Sequence, residues 1–173
     1  MGLRHSTEQD LPRIVDIYNA SIASRRSTAD TEQVTRESRL EWFRKHQPGR
    51  RPLLVYEREE VVVAWMSFED FYGRPAYRHT AELSIYIDPR HQGKLLGKKL
   101  LHAAEEMAPM LGLHTLVGYV FAHNTPSMRL LKAFGFQEWG RLPDIAEMDG
   151  KEYSLCIMGK RLAHTEQGAS ADC

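Results

Sequence analysis

The apolar positions of this chain fall into alternating helical and extended runs. Leu11, Ile14, Val15 and Tyr18 repeat at the spacing of one helix face, and Thr7-Glu-Gln-Asp10 ahead of them reads as a capped helix start. Thr35 begins a second helix in which Leu40 and Phe43 share an inner face while Arg36, Arg39 and Glu41 stay in water. Residues 53–56 and 61–66 are rich in β-branched and aromatic side chains and predict two strands. Glu57-Arg-Glu-Glu60 joins them, a charged connection without the usual glycine. Residues 82–87 alternate, with Leu83, Ile85 and Ile87 on one side and Glu82, Ser84 and Tyr86 on the other.

A helix opening at Gly97 would bury Leu100, Ala104, Met107 and Leu111, with Pro109 kinking or ending it. Residues 113–121 read as another strand. Thr125 is placed as the cap of a further helix with Pro126 at its first position, Met128, Leu131 and Phe134 as its stripe and Gly135 as its stop. Residues 136–142 and 153–158 supply two closing strands, and Trp42, Trp65 and Trp139 are expected in the core or at a subunit contact. The order is helix, helix, three strands, helix, strand, helix, two strands. Strand–helix–strand in the middle implies a parallel pair, and the flanking runs read as hairpins, so the class is α/β with a mixed sheet.

At 173 residues the chain is most simply one domain over residues 1–162, with a small, polar tail from Ala163 expected to be disordered. Lys plus Arg equals Asp plus Glu, giving a formal net charge of zero and arguing against nucleic acid as a partner. The 2 cysteines, Cys156 in a strand-like run and Cys173 at the last position, do not read as a disulfide framework, which suggests a cytoplasmic protein. No apolar leader follows Met1, and no segment has transmembrane length, so no membrane association is expected. The histidines show no metal-ligand spacing, and no metal is expected.

The most informative segment runs from Glu82 to Leu101. A strand leads into a loop holding Gly93 and Gly97, which opens onto an amphipathic helix whose first N–H groups and dipole favour an anion. Lys94, Lys98 and Lys99 add positive charge there, so a pyrophosphate-bearing cofactor suits the site. A P-loop is excluded by the Gly93-to-Gly97 spacing and the missing hydroxyl residue after Lys98, and a dinucleotide fingerprint by its third glycine and its place near the first strand.

Gln92-Gly-Lys-Leu-Leu-Gly97 resembles the acetyl-CoA loop of GNAT acetyltransferases, Arg/Gln-x-x-Gly-x-Gly/Ala, with Leu95 where the family has its first glycine. Asn124-Thr-Pro-Ser127 and Ala133-Phe-Gly-Phe136 resemble two further family features. Tyr77-Arg-His-Thr-Ala-Glu-Leu-Ser-Ile-Tyr-Ile87 is similar to the phosphinothricin and methionine sulfone/sulfoximine acetyltransferase branch. The resemblance implies a GNAT fold, mainly antiparallel with a central parallel pair splayed at the cofactor. It also implies a homodimer that uses acetyl-CoA to acetylate the primary amine of a small amino-acid-like molecule, by direct attack through a tetrahedral intermediate. Cofactor contacts are then expected from Ile85, Tyr86, Ile87, Gln92, Gly93, Lys94, Leu95, Leu96, Gly97, Lys98, Asn124 and Ser127, with an oxyanion donor near Ile87.

Glu82 matches the branch's glutamate and lies on the polar strand face, making it the candidate base. Phe71, Arg74, Tyr77 and Arg78 precede it in a loop suited to shaping a pocket and clamping an acidic group, and Thr80 follows from the branch motif. The chain departs from the branch in two further places. Leu131 stands where the branch has a histidine, leaving no evident general acid, and Glu147-Met-Asp-Gly-Lys-Glu-Tyr153 replaces its closing motif. A peptide or protein N-acetyltransferase and a non-catalytic CoA sensor are the alternatives.

Overall fold

The computed structural model of the chain describes residues 2–93 and 95–163. Seven strands form one sheet in the order β1-β2-β3-β4-β5-β7-β6. They are β1 (Gly2–His5), β2 (Leu53–Arg58), β3 (Val61–Asp70), β4 (Thr80–Ile87), β5 (Thr115–Phe121), β6 (Gln137–Met148) and β7 (Lys151–Arg161). The helices are α1 (Leu11–Ile22), α2 (Arg36–Lys45), α3 (Leu96–Met107) and α4 (Thr125–Ala133). β4 and β5 pair in parallel and every other neighbouring pair is antiparallel, the mixed sheet expected from the strand–helix–strand order.

Each face of the sheet buries its own apolar set. Ile14, Ile17 and Tyr18 of α1 pack on Leu53, Val55 and Trp65, with Trp42 and Phe43 of α2 alongside. On the other face Leu100, Leu101 and Ala104 of α3 and Met128 of α4 pack on Met66, Phe68, Leu83 and Leu116. The alternation of β4 serves both layers: Leu83, Ile85 and Ile87 go to the α3 side, while Tyr86 stacks on Trp65 at 4.6 Å on the α1 side.

Several local expectations hold and some shift. Thr35 caps α2, accepting the Ser38 N–H at 3.1 Å. α3 ends at Met107, before Pro109, and α4 stops just ahead of Gly135, whose φ is 82°. The cap of α4 is Asn124, not Thr125: its side-chain oxygen accepts the Ser127 N–H, so Pro126 is the second helical residue. β1 was not foreseen; its four residues lack an alternation long enough to read and become a strand only by pairing with β2.

The closing strands run well beyond the expected bounds because Asp149-Gly150, with φ of 54° and 73°, makes a tight hairpin between them. The glycine-free β2–β3 turn has the same hand: Glu59 and Glu60 both adopt positive φ, 50° and 62°, matching the twist of the flanking strands. The tail expected from Ala163 lies, from residue 164 on, outside the described residues.

Candidate functional site

β4 and β5 pair only over Thr80↔Thr115, Ala81↔Leu116 and Glu82↔Val117, although β4 runs on to Ile87 and β5 to Phe121. Past the Glu82 rung the strands part. The His79 carbonyl accepts the Thr115 N–H at 3.2 Å, which shows that odd-numbered residues of β4 direct their backbone groups toward β5. The same alternation turns the N–H and C=O of Ile85 and Ile87 into the opening. Free strand-edge groups in a wedge between two strands suit an extended chain with its own amide groups.

The wedge leads to the start of α3. Leu95 precedes that helix with φ 58° and makes no side-chain cap, so the first N–H groups of α3 lack a protein acceptor from the cap. Gly93 has φ 75°, and the Gln92 side-chain amide reaches back toward the Ile87 carbonyl at 3.5 Å. Leu96 is buried and contributes only its backbone, whereas Lys98 is exposed. At Gly97 an added Cβ would stand 3.0 Å from Leu130 of α4 and 3.7 Å from Ile87, so glycine lets α3, α4 and β4 meet closely at the loop. Lys94 lies outside the described residues. This uncapped, glycine-flanked helix start fits a pyrophosphate.

Asp88 fixes the loop's base. It is 3% exposed, accepts the Arg90 backbone N–H at 2.9 Å and the Arg90 guanidinium at 2.8 and 3.1 Å, and also binds Arg13 of α1. Arg90 above all, with Arg13, holds the Asp88 carboxyl well below the usual carboxylate range.

Glu82 is half-buried at the vertex. Burial first, and then the charge of Glu69 opposite it on β3, push its carboxyl above the usual range. No side-chain hydrogen bond to Glu82 exists among the described residues. Tyr119 of β5 lies on the same face, two residues past Val117; burial and then the Glu82 charge raise its phenol, and Tyr72 adds to the effect. Glu82, Tyr119 and the loop after β3 therefore converge. Tyr119 and Glu69 went unnoticed in the sequence, because their relation to Glu82 depends on the β4–β5 and β3–β4 registers.

In that loop Phe71, Tyr72 and Tyr77 form an edge-to-face cluster, with Phe71 4.7 Å from Tyr72 and 5.5 Å from Tyr77. Arg74 and Arg78 are exposed and make no ion pair among the described residues. The loop's end is anchored from beneath: Arg51, 4% exposed, donates to the Arg78 carbonyl at 2.8 Å and meets Asp70 at 2.8 Å. Thr80 sits at the first β4–β5 rung.

Two expected cofactor residues have other structural duties. The Tyr86 ring lies between Trp65 and Tyr18 with its hydroxyl donating to the Ser27 carbonyl at 3.1 Å, and its backbone groups turn toward β3, where it pairs with Trp65, so neither faces the opening. Asn124 both caps α4 and donates to the Arg26 carbonyl at 3.1 Å, tying α4 to the segment after α1, while Ser127 lies partly exposed beside it. Among the described residues no cluster of three or more His, Cys, Asp or Glu side chains could hold a metal ion, and no helix is long and apolar enough to cross a membrane.

Residues 13–136 match the model of the Acetyltransferase (GNAT) family. The chain is 54% identical over 164 residues, 94% of its length and 100% of the relative's, to YwnH of Bacillus subtilis, a provisionally named phosphinothricin acetyltransferase. It is 32% identical over 162 residues to the L-methionine sulfoximine/L-methionine sulfone acetyltransferase of Salmonella typhimurium, covering 94% of this chain and 95% of that one. Among solved structures, a provisionally named acetyltransferase of Salmonella typhimurium with its cofactor acetyl-CoA superposes with a TM-score of 0.86 at 31% identity, covering 96% of this chain and 97% of that one.

Proposed function

The chain belongs to the acetyltransferase (GNAT) family, and we propose that it transfers the acetyl group of acetyl-CoA to the primary amine of a small amino-acid-like acceptor of the phosphinothricin or methionine sulfone/sulfoximine kind. The observation that carries this reading is a coincidence of position: the last β4–β5 rung, where the wedge opens, is the rung of Glu82. The names of the relatives support the acceptor class.

Acetyl-CoA supplies an acetyl thioester open to direct attack by an amine. Gln92, Gly93, Leu95, Leu96, Gly97 and Lys98 would hold its pyrophosphate, largely through backbone N–H groups, and Lys94 is assigned to the same loop. The edge groups of Ile85 and Ile87 would take the pantetheine arm, with Tyr86 between them turned to β3, and Asn124 and Ser127 would flank it from α4. Glu82 takes the proton of the acceptor ammonium, directly or through a water. An α-amine has a pKa of about 8, so this removal is modest work at neutral pH. A β4 backbone N–H beyond the Glu82 rung, near Ile87, donates to the acetyl oxygen as negative charge grows there; as the carbonyl re-forms the C–S bond breaks, and CoA leaves as a thiolate that takes its proton from water. Arg74 and Arg78 bind the acceptor's acidic groups, and Phe71, Tyr77 and Thr80 shape its seat.

The enzyme acts as a homodimer in the cytoplasm, as a single catalytic domain over residues 1–162. Trp139, Leu142 and Ile145, 46%, 39% and 57% exposed on the edge strand β6, supply an apolar surface for the second subunit. Free-thiol release from acetyl-CoA on mixing with a panel of amino acids, sulfones, sulfoximines, phosphinothricin and peptides tests the reading. Release with small amino-acid-like amines supports it. Release with peptides alone favours the protein N-acetyltransferase, and tight CoA binding with no release favours a sensor.

A further inference from the structure

We propose that Glu69 is a positioning residue for this transfer: pinned by the Trp42 indole directly across the β3–β4 ladder from Glu82, it keeps the Glu82 carboxyl ready to accept the acceptor's proton. The proposal rests on the reading of Glu82 as the base.

The register pairs Glu69 with Glu82, so both side chains leave the same face of the sheet. Directly opposed residues have Cβ atoms about 4.5–5.5 Å apart, and like charges so placed repel. A sheet under no other demand would pair one of them with a cation. Instead the polar neighbours of Glu82 are Thr80 and Ser84 on its own strand, Ser67 on β3, and Tyr119 on β5 with Tyr72 beyond it. None of these carries positive charge.

Glu69 cannot relax the conflict by swinging away. The Trp42 indole N–H donates to its carboxylate at 3.0 Å, and the Ser67 hydroxyl lies at 3.5 Å. Trp42 is itself held edge-on between Trp65 at 5.6 Å and His46 at 4.8 Å. His46 offers Glu69 no counter-charge, since burial pushes its imidazole toward the neutral form. α2 therefore clamps a second carboxylate beside the first. The consequence is a Glu82 that binds a proton more readily than a solvated carboxylate would, with the arriving ammonium as the pair's missing cation.

The test is the pH dependence of kcat/KM for one fixed amine, measured on the full chain as wild type, Glu69→Gln, Glu69→Asp, Trp42→Phe and Glu82→Gln. The amine's own titration is common to all five, so differences belong to the protein. Glu69→Gln should move the acidic limb to lower pH, with KM for acetyl-CoA unchanged, and Glu69→Asp should move it back toward wild type. Trp42→Phe, which keeps an aromatic ring and removes the donor, should shift the limb in the same direction as Glu69→Gln. A merely structural Glu69 would lower the rate evenly across pH. The proposal is overturned if the limb stays in place in Glu69→Gln and Trp42→Phe while Glu82→Gln abolishes it. A limb that survives in Glu82→Gln removes the base assignment instead, and the role of Glu69 falls with it.

Discussion

Glu82 faces Val117 at the last rung of the β4–β5 ladder, and beyond it the two strands no longer pair. That single rung fixes the geometry of the site. The parallel pairing holds the candidate base rigidly, and the loss of pairing beyond it frees backbone groups for the acetyl carrier. In the proposed reading, the base and the acetyl carrier meet where the sheet comes apart.

The loop at the head of that channel depends on Asp88. Replacing it with alanine leaves Arg13 and Arg90 without their shared acceptor and should cost about 2–3 kcal/mol at neutral pH, since one partner, Arg90, is largely solvated. Because its folded pKa is depressed, the Asp88 contribution is fully present above the ordinary carboxylate range, near pH ~4, and is lost as pH falls through the lower folded value. Urea unfolding at neutral and strongly acidic pH should show the gap between wild type and Asp88→Ala closing in acid.

Leu95 adopts φ 58° in a position where the related loop carries glycine, and its side chain is 63% exposed. A left-handed conformation costs a non-glycine residue about 1–2 kcal/mol, partly offset by the freedom glycine adds to the unfolded chain. Leu95→Gly should therefore raise stability by several tenths of a kcal/mol to about 1 kcal/mol, and Leu95→Ala should not. Thermal unfolding of the two variants decides it.

Gly159 of β7 lies flat beneath the Trp139 ring, and a Cβ there would stand 1.9 Å from the ring carbon Cε3. Gly159→Ala must expel the indole, at a cost of about 1–3 kcal/mol and with a red shift of tryptophan emission. With Trp139→Ala already in place the glycine substitution should cost far less, and a double-mutant cycle measures that coupling.

Arg74→Ala and Arg78→Ala should each raise KM about tenfold for acceptors bearing a carboxylate or phosphinate, the loss of one charge-assisted contact. KM for acetyl-CoA should not move, because both residues lie in the loop before β4, away from the α3 start. Steady-state kinetics with each substrate varied separately reads both.

How much of this was legible in the sequence follows from the range of the forces involved. The alternation of residues 82–87 and the apolar stripes of α1 and α3 are local, and they predict β4, both helices and the mixed sheet as the structure has them. The positions of Asn124 and β1 were misjudged or missed, because a cap can move by one residue and a four-residue strand exists only through its partner. Glu69 and Tyr119 carry no motif. Their relation to Glu82 is a matter of strand register, which pairing across distant segments decides. The Tyr86 ring sits in the aromatic core because Trp65 and Tyr18, both far off in sequence, close around it.

The most direct test of the central claim compares wild type with Glu82→Gln in acetyl-CoA-dependent amine acetylation from about pH 6 to about pH 9. The account predicts a rate loss of about 10²-fold or more near neutrality, disappearance of the acidic limb, and a loss that shrinks as rising pH deprotonates the amine unaided. A Glu82→Gln enzyme that keeps the full wild-type rate throughout that range would contradict it.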